Sequence, residues 1–218
     1  ILHNNTQKEI QVIQDLEKIN TERFQENPIA FNKIYISSTE SDIEGLKENF
    51  DSLSSHIVLI PSTQEIFTSY ALSQLAQINN YYPSVVFGMP TWKNFRHINY
   101  DYLEWMQVHL SSSYWVNEHQ IDIVNFKRNF NFNYSMPPSE FAFQGYDLAN
   151  FIASFIAKDI NYKKEKDRFF TFDESNIGLQ TKFHFIPRSN KDAEIVNYWD
   201  NQYIQILKFE NYTFNKVD

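Results

Sequence analysis

The sequence holds 218 residues, of which 42% are hydrophobic and 17% aromatic, enough apolar material for one generous domain or two small lobes. A formal net charge of −8 argues against a nucleic-acid partner, which calls for clustered Lys and Arg. There is no cysteine, so disulfide and thiolate chemistry are excluded, and no apolar run approaches the roughly 20 residues that span a bilayer.

In the first 66 residues one phrase occurs three times: an apolar run, then Ser or Thr, then an acid three residues later. Ile1-Leu2-His3 leads to Thr6…Glu9. Lys33 to Ser37 leads to Thr39…Asp42, or in a shifted frame to Ser41…Glu44. His56 to Pro61 leads to Ser62…Glu65. Short β-branched runs suit buried parallel strands, and the hydroxyl–acid pair suits a helix-capping box. Strand and capped helix alternating every roughly 25 to 30 residues predict a βαβ series with a parallel sheet, in the flavodoxin-like order 2-1-3-4-5.

Taken in order, residues 6–24 read as a helix carrying Ile10, Ile13 and Leu16, ended by Asn27-Pro28. A strand over 33–37 and a short helix with Ile43, Leu46 and Phe50 follow. The strand at 56–60 precedes a long helix to residue 79, and 84–88 is the fourth strand. Gly88-Met89-Pro90-Thr91-Trp92 reads as an irregular loop, because Pro90 blocks both ladder and helix. Residues 99–109 predict a helix and 113–116 a fifth strand. Then come helices over 122–133 and 140–159, a polar loop over 161–176, and alternating stretches in the tail that predict antiparallel strands. The chain opens inside a strand, without Met or signal peptide, which predicts a piece of something longer.

Catalytic signatures are missing. The sequence has no phosphate loop, no Gly-x-Gly-x-x-Gly and no Gly-x-Ser-x-Gly, and only four glycines with which to build one. Its six histidines show no His-x-x-x-His spacing, so no metal site and no cofactor is expected. In open α/β sheets ligands bind beyond the carboxyl ends of the strands. That edge offers hydroxyls, amides and helix N-termini suited to a small polar ligand, and the candidate ligand-binding residues are Ser38, Ser62, Thr63, Thr91 and Trp92. Trp92, expected to be exposed by its loop, would supply stacking area.

Several motifs recur in a familiar order: Ile57 to Ser62 before a long helix, Val86 to Trp92, and Phe126…Phe130 with Pro137-Pro138-Ser139. Phe143-Gln144-Gly145-Tyr146-Asp147, the Gly178 to Phe185 stretch and Asn197…Tyr203 complete the series. Together they resemble the type 1 periplasmic-binding-protein superfamily, whose best-known members bind branched-chain amino acids. The resemblance is greatest to envelope proteins of Bacteroidota, some of which place such a domain after LysM repeats.

The resemblance implies two Rossmann-like lobes that close on a ligand. Residues 1–116 would form the second lobe, 117–176 the helices returning toward a missing first lobe, and 177–218 the strands that rejoin the second lobe. It also implies a non-catalytic solute-binding module of the periplasm or outer-membrane-associated envelope, or alternatively a scaffold or accessory subunit that has lost ligand binding. The aromatic pair of helices carrying Phe126, Phe130, Phe143, Phe151 and Phe155 lacks a sheet to cover. A face built on Phe126, Phe130, Phe143 and Phe155 is therefore expected to meet the missing lobe or a partner protein.

Overall fold

A computed structural model describes residues 1–37, 43–158, 178–189 and 196–217. The expected cap at Thr39 or Ser41, the candidate Ser38, the polar loop over 161–176 and the Phe155 side chain lie outside the described residues.

The elements are β1 (Leu2–His3), α1 (Gln7–Arg23), β2 (Ile34–Tyr35), α2 (Ile43–Lys47), β3 (His56–Leu59), α3 (Glu65–Ile78) and β4 (Ser84–Gly88). A 3₁₀ turn (Pro90–Asn94) leads to α4 (Tyr100–Trp105), β5 (His109–Ser112), α5 (Ile121–Tyr134) and α6 (Glu140–Lys158). Then come β6 (Phe185–Ser189), β7 (Val196–Asn201), β8 (Gln205–Glu210) and β9 (Thr213–Lys216). They fall into two compact units, one of residues 1–111 with 206–218 and the other of residues 112–205.

The first unit is an α/β layer whose ladder is mainly parallel. β1 pairs with β2, β3 with β4 and β4 with β5, all parallel, with Leu2 opposite Ile34, Val58 opposite Val86 and Phe87 opposite His109. The strands form a two-stranded β1–β2 ladder and a five-stranded sheet in the order β3-β4-β5-β8-β9. The expected single sheet is thus interrupted between β1 and β3. With two residues each, β1 and β2 are too short to extend a ladder, and a cavity of about 520 Å³ lined by Ile1, Leu2, Ile34 and Ile57 lies there instead. The unpaired side of β3 is open, and Ile57 is 78% exposed where burial on both faces was expected.

Behind the sheet, α3 turns Phe67, Ala71, Leu75 and Ile78 inward at helical spacing. They meet Val58, Ile60, Val86, Leu110 and Phe209 in one core. Each of these side chains larger than alanine contributes about 1.5–3 kcal/mol by leaving water.

The fifth strand lies earlier than expected, at His109–Ser112 rather than 113–116, and α4 stops at Trp105. Gln107, at φ 44°, breaks the helix, and the chain then alternates so that Leu110 and Ser112 are buried. The tail also differs. β9 has no expectation behind it, yet it closes an antiparallel hairpin with β8 through Asn211 and Tyr212, both left-handed at φ 54° and 60°. That is a two-residue turn of the type whose twist suits a hairpin, written without the usual Gly.

In the second unit, α5 and α6 pack through an aromatic ladder. The Phe126 ring lies 4.8 Å from Phe143 and 4.8 Å from Tyr146, and Phe151 lies 4.7 Å from Phe183. β6 and β7 form an antiparallel pair. The division differs from the expected boundaries at 116/117 and 176/177, because residues 178–205 cluster with these helices and only 206–218 return to the first unit. Part of the expected uncovered face is covered from within. Phe143 is buried, and Phe151 packs at a tilt against Phe183 and Phe185. Among the described residues of this unit the most exposed aromatics are Phe132 and Phe141 instead.

Candidate ligand site at the strand ends

Beyond β1 the chain makes a tight corner. Thr6 Oγ1 accepts from Glu9 N at 3.3 Å, while Glu9 Oε2 accepts from Thr6 N at 3.1 Å and Asn4 N at 3.0 Å. This is the expected capping box, with a third amide gathered in. Asn5, left-handed at φ 63°, makes the turn. The Asn4 side-chain amide reaches Gln64 Oε1 at 3.5 Å, linking the loops after β1 and β3. Burial holds the His3 imidazole below its ordinary pKa, with the Glu9 charge opposing.

Beyond β3 the expected capping box does not form. Helix α3 begins at Glu65 itself, and its N-cap Gln64 makes no side-chain capping bond. Ser62 Oγ accepts from Gln64 N at 3.3 Å and closes a local turn before the helix. Released from capping, Glu65 Oε1 accepts instead from Arg96 N at 2.6 Å and His97 N at 2.5 Å, in the segment after β4.

Trp92 is where the structure overturns the sequence reading. It is 2% exposed, not presented to solvent. Its indole N–H donates to the Ser62 carbonyl at 2.8 Å, and its ring stacks on Phe95. A Cβ on Gly88 would stand 2.5 Å from the indole, so only glycine admits the ring there. Pro90 starts the 3₁₀ turn that folds the indole back under the strand ends. The Gly-Met-Pro-Thr-Trp motif is therefore a packing lock between the loops after β3 and β4.

Of the expected ligand contacts, Ser62 is fully buried at 0% exposure, whereas Thr63 and Thr91 are exposed beyond the adjacent parallel strands β3 and β4. None of these lines the cavity beside β2. That cavity, of about 350 Å³, is bounded by Ile36, Ser37, Asn49 and Gln74.

The second unit holds a residue whose role the sequence reading missed. Asp147 is 1% exposed. Its carboxylate accepts from the amides of Leu179 (2.6 Å), Gln180 (3.0 Å) and Thr181 (3.2 Å). Burial pushes its pKa up, and the three N–H donors oppose that shift. A Cβ on Gly178 would sit 2.3 Å from the same carboxyl group, so this glycine gives the loop its close approach. A signal was present in the sequence. Asp147 stands midway between Phe143 and Phe151 on one helical stripe, and an acid on a buried stripe must find donors. Gly145, in the motif that drew attention to it, has open space around it.

Nearby, Tyr114 Oη donates to Glu140 Oε2 at 2.5 Å. That bond, with burial and the Glu140 charge, pushes the phenol up to about 12. Among the described residues no group of three or more His, Cys, Asp or Glu is placed to hold a metal, and no helix is long and apolar enough to cross a membrane.

No family model matches this sequence, and neither does any curated protein. Solved structures do share its fold, among them substrate-binding proteins of ABC transporters. One from Desulfitobacterium hafniense, crystallised in complex with Leu, superimposes with a TM-score of 0.55 at 12% identity, over 99% of this chain and 59% of its own. A protein from Rhodospirillum rubrum, described as a branched-chain amino acid ABC transporter, gives 0.55, 12%, 99% and 59%. The chain thus shares the α/β fold of these substrate-binding proteins and spans about 59% of their length.

Proposed function

We infer that this chain is a non-catalytic, solute-binding-like module that takes a small polar ligand beyond the carboxyl ends of the first unit's strands. The observation that carries the reading is the pair of exposed hydroxyls, Thr63 and Thr91, following two adjacent parallel strands in a fold otherwise used for substrate capture. Ser38 completes the proposed contact set. Ser62 and Trp92 take part by fixing the two loops rather than by touching solvent-borne ligand. On this reading the module works in the periplasm or at the cell envelope, with a complementary lobe closing the cleft.

A second reading is supported by a specific observation. Phe132 (86% exposed) and Phe141 (72% exposed) lie on the helices of the second unit, an apolar display that suits an accessory subunit or a lobe contact. Calorimetric titration with leucine, then with other amino acids, separates the two. Saturable heat that falls by about 1 kcal/mol of affinity in Thr63→Ala or Thr91→Ala supports solute binding. Silence across the series favours the accessory role.

A further inference from the structure

The second unit contains a recess of about 270 Å³ walled by Tyr114, Glu140, Gln144, Gln180, Phe183 and Asn201. Its polar groups differ in how far their bonding capacity is already used. Asn201 is committed: Oδ1 accepts from His184 N at 2.8 Å and Tyr203 N at 3.2 Å, and Nδ2 donates to the Lys182 carbonyl at 3.1 Å. Tyr114 has given its one proton to Glu140.

Gln180 is different. Its amide N–H is held by Asp147, and its carbonyl accepts from Trp115 N at 2.9 Å and from the Gln205 side chain at 3.4 Å. The residue is 6% exposed, yet its side-chain Oε1 is buried without a partner. A buried amide oxygen in that condition carries a desolvation cost that an incoming donor removes.

Glu140 supplies a second acceptor and, among the described residues, the only charge on the wall, where no described Lys, Arg or His lines the recess. It is the first residue of α6, and its full negative charge exceeds the partial positive charge of that helix end. Phe183 adds an apolar surface beside the two acceptors. Two oxygens, one anionic, next to an aromatic ring complement an ammonium group on a short apolar stem.

We propose that this recess binds a small primary amine, its ammonium donating to the Glu140 carboxylate and to Gln180 Oε1, with its stem against Phe183. The site lies wholly in the second unit, uses none of the strand-end residues of the first, and stands independently of the solute reading. The experiment is calorimetric titration of the 218-residue chain with n-butylamine, alongside n-butanol and butyrate as neutral and anionic counterparts. Butylamine alone is expected to saturate, with affinity falling on the order of tenfold in Glu140→Gln and again in Gln180→Met. Gln180 is buried, so circular dichroism checks that its variant folds. Glu140→Gln, at an exposed position, decides the question if that variant does not. No saturation by butylamine, equal binding of butanol, or undiminished binding in Glu140→Gln overturns the proposal.

Discussion

Trp92 and Asp147 are both single residues whose surroundings reverse what their local sequence suggests. A Trp between Pro90 and polar residues reads as a loop tip, because loops usually lie on surfaces. What the sequence does not display is the carbonyl of Ser62, thirty residues upstream, which accepts the indole proton in the interior. Nor does it display the missing Cβ of Gly88 that makes room for the ring. Trp92→Ala is accordingly expected to destabilise the first unit by about 3–5 kcal/mol, the cost of a large buried cavity. Trp92→Phe keeps most of the volume but strands the Ser62 carbonyl, at about 1–3 kcal/mol. Denaturant midpoints measure both. A Trp92→Ala variant as stable as the parent would show that the indole is not a core residue.

Among the elements, α1 and α3 test how far one motif determines one structure. Both carry a hydroxyl followed three residues later by an acid. At Thr6 the backbone turns directly into the helix, so hydroxyl and acid face orphan amides and the capping box closes. At Ser62 two further residues intervene before α3 begins, and Glu65 becomes the first helical residue. Its carboxylate then meets the amides of Arg96 and His97, a partnership set by tertiary structure alone. The two acids thus have different consequences. Thr6→Ala should cost about 1 kcal/mol of global stability. Glu65→Ala should leave α3 intact while amide hydrogen exchange accelerates at Arg96 and His97. Equal protection of those two amides in variant and parent would remove Glu65 from this role. Strand existence was readable for the same reason as the first box, since β1 to β4 are local apolar runs. β5 was displaced and β9 missed because a left-handed Gln107 and an Asn211-Tyr212 turn carry no Gly or Pro to announce them.

At the scale of the molecule, the βα alternation that defines the first unit was legible because each strand and its helix are sequence neighbours. The division into units was less so. The last strands return to the first unit only from residue 206, and nothing in an alternating polar–apolar tail reveals which sheet each strand will join. The second unit also leaves a run of apolar side chains in water: Ile121 at 67%, Phe132 at 86%, Tyr134 at 64% and Phe141 at 72% exposure. Exposed aromatics of this size in number often mark a contact surface. Beside it lies a groove of about 820 Å³ lined by Asn125, Phe126, Asn129, Phe130 and Tyr146. Left alone, the chain should lower its free energy by pairing these surfaces, so its sedimentation should show association that grows with concentration. Raising salt should not dissolve that association, because it rests on apolar burial rather than on charge pairs. Phe132→Ser with Phe141→Ser should return the chain to a monomer and leave its denaturation midpoint nearly unchanged, since neither ring is buried in the monomer. A chain that stays monomeric at high concentration with both phenylalanines in place would remove the apolar face as a reason to expect a partner.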